Sequence, residues 1–328
     1  MATFARFSAL FSAFLVLALT PGARTAHAQF GLPGGDAEPT GDDLVDFSVA
    51  VEHSPMNPEQ GTMIALIWDV EDEWHVYWKN NGDTGAPLAW EFDLPEGVTA
   101  GEPRWPAPTR YVSGGFIVDF VLEGRVVVLV PLEISDEARA GMMSAGVGEL
   151  AGRVRSEWLV CKEACLPGSG EAEVTIPFAA TTPVERRPEL FEEARRAQPV
   201  TREAVRRAAQ GARDDGSRVV RDRFGRAVGP ASRVGAYFRD GRLEIRAPGA
   251  ASMEFFADPG RTEVRPADAL NECAVEGDSM SVRFGGPVSG ADLIGGVVRI
   301  DYGERGVVVL RLDVPGPASA SAGEDPLG

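Results

Sequence analysis

Cys161 and Cys165 stand four positions apart in the stretch SEWLVCKEACLPGSGE, and the chain holds one further cysteine, Cys273. Two thiols at this spacing admit three chemistries: a local staple, a metal clip, or a redox pair. A disulfide across so short a loop stabilises a fold by only about 2 kcal/mol, against about 4 to 5 kcal/mol for a long loop. Residues four apart in a turn can bring their Cα atoms within about 7 Å, so the bond is feasible. Tight, exposed bonds are also the more readily reduced ones. The placement therefore favours a disulfide that opens and closes, with an inert local staple as the competing reading. The spacing alone is a weak signature. Lys162, Glu163 and Ala164 make the loop polar, which predicts at least one exposed sulfur. Lys162 favours a thiolate and Glu163 opposes it. Trp158 precedes the pair at the expected end of a strand, and Pro167 fixes the exit.

Other residue types capable of chemistry are sparse. His75, in EWHVYW, reads as a structural histidine among aromatic neighbours rather than a ligand. Cys161, Cys165 and a histidine would suit Cu(I) or Zn²⁺, but no second C-x-x-x-C and no Met/His cluster accompanies them. Met142 and Met143 read as buried or in a loop, and Asn80-Asn81-Gly82-Asp83 reads as a turn rather than a Ca²⁺ loop. No nucleotide, hydrolase or metalloprotease motif is present. No resident metal or other cofactor is expected.

The compartment decides what two thiols can become. Arg6, an apolar run over 7–19 and Ala26-His27-Ala28 form a secretory leader over residues 1–28. The run is short for a bilayer span. The expectation is a soluble, exported, periplasmic protein with no membrane insertion after cleavage, in surroundings where disulfides persist. Formal net charge is −17, from 32 basic and 49 acidic residues. So acidic a chain is a poor partner for nucleic acid or anionic membranes.

Those thiols need a scaffold. Residues 29–43 are rich in Gly, Pro and Asp and read as a flexible lead. Over 44–182, short apolar or alternating runs such as GTMIALIWDV, EWHVYWK and FIVDFVLEGRVVVLVPLEI recur between turn signals, the pattern of an antiparallel sandwich. Residues 183–215 are helix-forming, with Pro199 between two segments and Thr201 as the cap of the second. Their mixed charge reads as a solvated linker. Strands return over 216–315, with hairpins at Asp240-Gly241, at Gly277-Asp278 and around GERG. Residues 316–328 form a low-complexity tail. The fold class is all-β: two sandwiches joined by a short helical linker.

EWLVCKEACLPG resembles the W-x-V-C-x-x-x-C-x-P segment in the extracytoplasmic N-terminal region of DsbD/ScsB-type thiol:disulfide interchange proteins. The block from EWHVYWKNNGDTG to RWPAPTRYVSGG, the helix PELFEEARRAQP, and the EFFADPG and GGVVRIDYGERGVVVLRLDVP segments resemble that family in the same order. The resemblance spans about 44–315 and is most specific over 73–167. It implies immunoglobulin-like sandwiches and a Cys161/Cys165 pair that exchanges disulfides with thioredoxin-like proteins and a DsbD-type membrane reductase. Cys165 would face partners and Cys161 would resolve, with Trp158, Lys162, Glu163 and Pro167 as supporting or partner-contact residues. The sequence given stops at Gly328 without the family's membrane and thioredoxin-like domains, so its reductant is expected on another polypeptide. Part of the family is named for copper tolerance, which makes a Cu(I)-binding module the leading alternative. A non-catalytic interaction module with a fixed disulfide is the other. Cys273, alternating with Val275 along an expected strand, reads as a buried, inert thiol.

Overall fold

The computed structural model describes residues 39–178, 183–214, 220–259, 274–283 and 293–316. The leader, Cys273 and the tail from residue 317 lie outside the described residues.

Ten strands build the first β unit: β1 (Val45–Val51), β2 (Thr62–Val70), β3 (His75–Gly82), β4 (Ala89–Asp93), β5 (Val98–Ala100), β6 (Thr109–Ser113), β7 (Ile117–Glu123), β8 (Arg125–Ile134), β9 (Glu149–Cys161) and β10 (Cys165–Pro177). They form two antiparallel sheets, β1-β2-β8-β5 and β10-β9-β3-β7-β6, with β4 also paired to β9. Alternation decides which side chains meet between the sheets. Val154, Trp158 and Val160 of β9 face Ile64, Leu66 and Trp68 of β2 across a shared core. Ser156 on the same face of β9 accepts a 3.0 Å hydrogen bond from Trp68 Nε1 and donates to the Ala89 carbonyl, so its burial carries no unpaired group.

β2 is apolar on both faces because both are covered. Ala65 and Ile67 pack outward against Leu190, Phe191 and Ala194 of helix α2 (Pro188–Ala197). The expected solvated linker is therefore half buried: α2 turns Leu190, Phe191 and Ala194 toward β2, and its Arg195 pairs with the buried Glu52. Helix α3 (Arg202–Asp214) starts where Thr201 Oγ1 accepts from Ala204 N at 3.2 Å, and Val205 enters the second core.

One helix falls where no helix is expected. Helix α1 (Asp136–Ser144) is capped by Ser135, whose side chain accepts from Ala138 N. It places Met142 against the first core and leaves Met143 71% exposed, so Met143 is neither buried nor in a loop.

The second β unit holds β11 (Gly235–Arg239), β12 (Arg242–Arg246), β13 (Ser252–Ala257), β14 (Ala274–Glu276), β15 (Ser279–Arg283), β16 (Leu293–Asp301) and β17 (Val307–Pro315). Its sheets run β11-β12-β15-β14 and β13-β16-β17. Phe255 of β13 faces this second core, while Phe256 turns the other way into the first. There it meets Phe120 of β7 edge-on, with ring centroids 5.1 Å apart.

Candidate functional site

β9 and β10 form one long hairpin, and Cys161 and Cys165 are the last cross-strand pair before its tip. Cross-strand neighbours share a face, so the sulfurs meet, and the two are joined by a disulfide with Cα atoms 4.1 Å apart. Lys162, Glu163 and Ala164 make the tip, closed by Lys162 N donating to the Ala164 carbonyl at 3.2 Å. The two sulfur residues differ in access. Cys161 is 3% exposed, whereas Cys165 is exposed.

Sheet pairing brings distant residues to this face. His75 of β3 lies opposite Cys161 on one side and Glu123 of β7 on the other. Two residues on, Tyr77 shares that face, as do Val121 and Asp119 of β7 and Tyr111 of β6. Tyr77, Val121 and Cys161 form a small buried cluster with Leu159 packed on it. The Tyr77 hydroxyl reaches Cys161 Sγ at 3.2 Å and Cys165 Sγ at 3.7 Å. Its ring is roofed by the loop after β3. Gly85, at φ +72°, sits so close that a Cβ there would lie 2.0 Å from Tyr77 Cζ. That loop is tied down by Asp119, which accepts from Thr84 N at 2.8 Å and Thr84 Oγ1 at 2.7 Å. Tyr111 stacks on His75 with ring centroids 4.8 Å apart.

Electrostatics keep the aromatic groups neutral. Burial raises the Tyr77 phenol above its ordinary value, a Thr84 hydrogen bond pulls it down, and Asp119 and Tyr111 push it up again. It remains a hydrogen-bond donor at neutral pH. Burial lowers the His75 imidazole, and the Glu123 and Asp119 carboxylates only partly offset this. At the tip, Lys162 Nζ pairs with Glu73 at 2.7 Å and holds that carboxyl low. The lysine expected to favour a thiolate thus has its own counter-ion.

The supporting residues named from sequence separate. Lys162, Glu163 and Pro167 are exposed around the disulfide. Trp158, three positions from Cys161, points to the opposite face. It is 5% exposed, and its Nε1 donates to the Gly41 carbonyl at 3.1 Å. It lies in the core between the sheets, away from the face that carries the sulfurs.

Residues 42–177 match the family described as thiol:disulfide interchange protein DsbD, N-terminal. These residues form a DsbD N-terminal-type domain. Among solved structures, the N-terminal periplasmic domain of ScsB from Proteus mirabilis is similar at 14% identity, over 84% of this chain and 94% of that one, with a TM-score of 0.49. The DsbD N-terminal domain of Neisseria meningitidis, in reduced form, is similar at 14% identity over 43% of this chain and 90% of that one, with a TM-score of 0.25. No curated protein matches the sequence. The disulfide, its Tyr77 donor and the Tyr111–His75 stack all fall inside the DsbD-type domain.

A cleft of about 900 Å³ lies elsewhere, between the two β units, lined in part by Arg104, Trp105, Val200 and Arg223. It excludes both sulfurs, and its Lys79, Arg311, Arg226 and Arg195 are already paired with Asp258, Asp222 and Glu52. Among the described residues, no group of three or more His, Cys, Asp or Glu converges to hold a metal, and no helix is long and apolar enough to cross a membrane.

Proposed function

We propose that this chain is an exported, periplasmic thiol:disulfide exchange protein. Its Cys161–Cys165 disulfide takes two electrons from a thioredoxin-like protein or a DsbD-type membrane reductase and passes them to client disulfides. The observation that carries this reading is the asymmetry of the pair: Cys165 is exposed at a hairpin tip, while Cys161 lies buried against a neutral tyrosine hydroxyl.

A partner thiolate attacks Cys165 Sγ, the Cys161–Cys165 bond breaks, and a bond between the partner sulfur and Cys165 forms. Cys161 leaves as a thiolate and accepts the hydrogen bond of the Tyr77 hydroxyl. The partner's second thiolate then attacks the partner sulfur of the mixed disulfide and releases Cys165 as a thiolate. Two protons from water complete the dithiol. The partner is oxidised by two electrons and this chain is reduced by two. Running the same steps in reverse reduces a client. Lys162, Glu163 and Pro167 surround Cys165 and would contact whichever protein docks there.

The test is reduction of the full exported chain by reduced thioredoxin, followed by thiol counting and a redox titration. Complete reduction at a potential above about −300 mV supports exchange. A bond that resists thioredoxin and titrates below that value behaves as a structural disulfide and ends this reading.

A further inference from the structure

The strands that carry the redox face are held from behind by the second β unit. β3 pairs with β7 as far as Tyr77, and regular pairing resumes only at Gly82. In the gap, Lys79 and Asn80 turn to the end of β13. Lys79 Nζ lies 2.6 Å from Asp258 Oδ1, and Asn80 Nδ2 donates to the Ala257 carbonyl at 2.9 Å. Asp258 is shared with Arg311 of β17. Burial favours its neutral form, but the hydrogen bonds from Arg311 and Lys79 outweigh this and keep it ionised.

β6 is held by the same strand. Arg110 points away from the redox face, and its Nη2 donates to the Phe255 carbonyl at 3.2 Å. Its guanidinium lies over the rings of Phe120 and Phe256, 5.8 Å from each centroid, and its Nε is 3.6 Å from Glu254. The next residue, Tyr111, faces the other way and covers His75. Residues 254–258 thus grip both strands whose aromatic residues stand around the buried sulfur. All five lie outside the segment that matches the DsbD N-terminal family.

We propose that β13 is a brace for the redox face: by fixing Lys79, Asn80 and Arg110 it holds Tyr77 and Tyr111 in place, keeps Cys161 covered, and leaves Cys165 as the sulfur presented to partners. Lys79, Asn80 and Arg110 are positioning residues, because none of them touches sulfur. The inference deepens the exchange reading by naming what keeps Cys161 covered, and it rests on that reading only for its biological consequence.

The experiment needs no partner. The full chain is reduced with dithiothreitol, desalted and treated with iodoacetamide, and carbamidomethylation at each cysteine is followed by mass spectrometry. In the wild type, Cys165 should label at least tenfold faster than Cys161. Arg110→Ala and Asp258→Asn should each narrow that ratio to below threefold while melting remains cooperative, and Arg110→Lys should recover part of it. Asn80→Ala removes two hydrogen bonds, one donated to the Ala257 carbonyl and one accepted from Gly82 N, and serves as the mild variant if the others do not fold. Val282→Ala loosens the second core from β15, in the other sheet from β13, without removing any contact to Lys79, Asn80 or Arg110, so it should lower thermal stability and leave the ratio unchanged. A ratio within twofold of wild type in every folded brace variant overturns the proposal, as does equal labelling of both sulfurs in the wild type. A wild type that thioredoxin cannot reduce would end the exchange reading and leave the labelling result standing.

Discussion

The Tyr77 hydroxyl lies 3.2 Å from Cys161 Sγ and is held there by a ring clamped between a glycine loop and the sheet. A donor already in place beside the sulfur that must leave requires no rearrangement when charge develops on it. Tyr77→Phe keeps the ring and removes the donor. One hydrogen bond to a developing thiolate is worth about 1.5 kcal/mol. Reduction by thioredoxin should therefore slow by about tenfold, with thermal stability little changed. Stopped-flow fluorescence measures the rate, and an unchanged rate would remove Tyr77 from the mechanism.

The asymmetry of the sulfurs predicts asymmetric trapping. Cys161→Ala leaves the exposed Cys165 free to attack an activated disulfide on a thioredoxin-like partner that lacks its resolving cysteine, displacing the small activating thiol and forming an adduct that nothing then resolves. Cys165→Ala leaves only the buried Cys161. Non-reducing gels should show an adduct with the first variant and little or none with the second. Equal trapping would show that exposure does not decide which sulfur is attacked.

His75 makes stability depend on pH. Its folded pKa lies below the unfolded value of about 6.5, because burial disfavours the cation. Between the two values the unfolded chain binds the extra proton, so stability falls as pH falls. The contribution is complete above about pH 6.5 and is lost as pH drops through the lowered folded value. The slope cannot exceed about 1.4 kcal/mol per pH unit for one proton. Urea melts from pH 7.5 to 5 should show the loss, and His75→Gln should flatten it. An identical slope in the variant would assign the dependence elsewhere.

Gly85→Ala tests the roof over Tyr77. Its φ of +72° disfavours any Cβ, and the added carbon would overlap the tyrosine ring. A loss of about 2 kcal/mol in urea denaturation is expected, together with faster labelling of Cys161 in the reduced protein. A neutral substitution would mean the loop does not press on the ring.

Phe191→Ala tests whether helix α2 belongs to the fold. The side chain is fully buried against Ala65, Ile67 and Leu129. Its removal should cost about 3 to 5 kcal/mol, as for other buried phenylalanines. A loss under about 1 kcal/mol, read from the denaturation midpoint, would restore the solvated-linker view.

Several features were legible in the residues because they depend on neighbours in the chain. The hairpin turns at Asp240-Gly241 and Gly277-Asp278 need positive φ, and Asp240, Gly241 and Gly277 supply it. Thr201 caps α3 through a bond three residues away. The Cys161–Cys165 pair closes its own hairpin. The period-2 alternation of a strand even separates Trp158 from Cys161, since positions an odd number apart face opposite ways. Ser135 followed by Asp136 and Glu137 is an equally local signal for helix α1.

The surroundings of the disulfide depend instead on which strands become neighbours. The order β9-β3-β7-β6 places His75 beside Cys161 and Tyr111 above His75, across segments far apart in the chain. Lys162 is paired by Glu73, and Lys79 and Arg110 are gripped by residues near 255. Local propensity and spacing specify turns, caps and the face of a strand, because those interactions span a few residues. Sheet order is set by burying both apolar faces of strands such as β2 at once, and that condition is met only when the whole chain has folded.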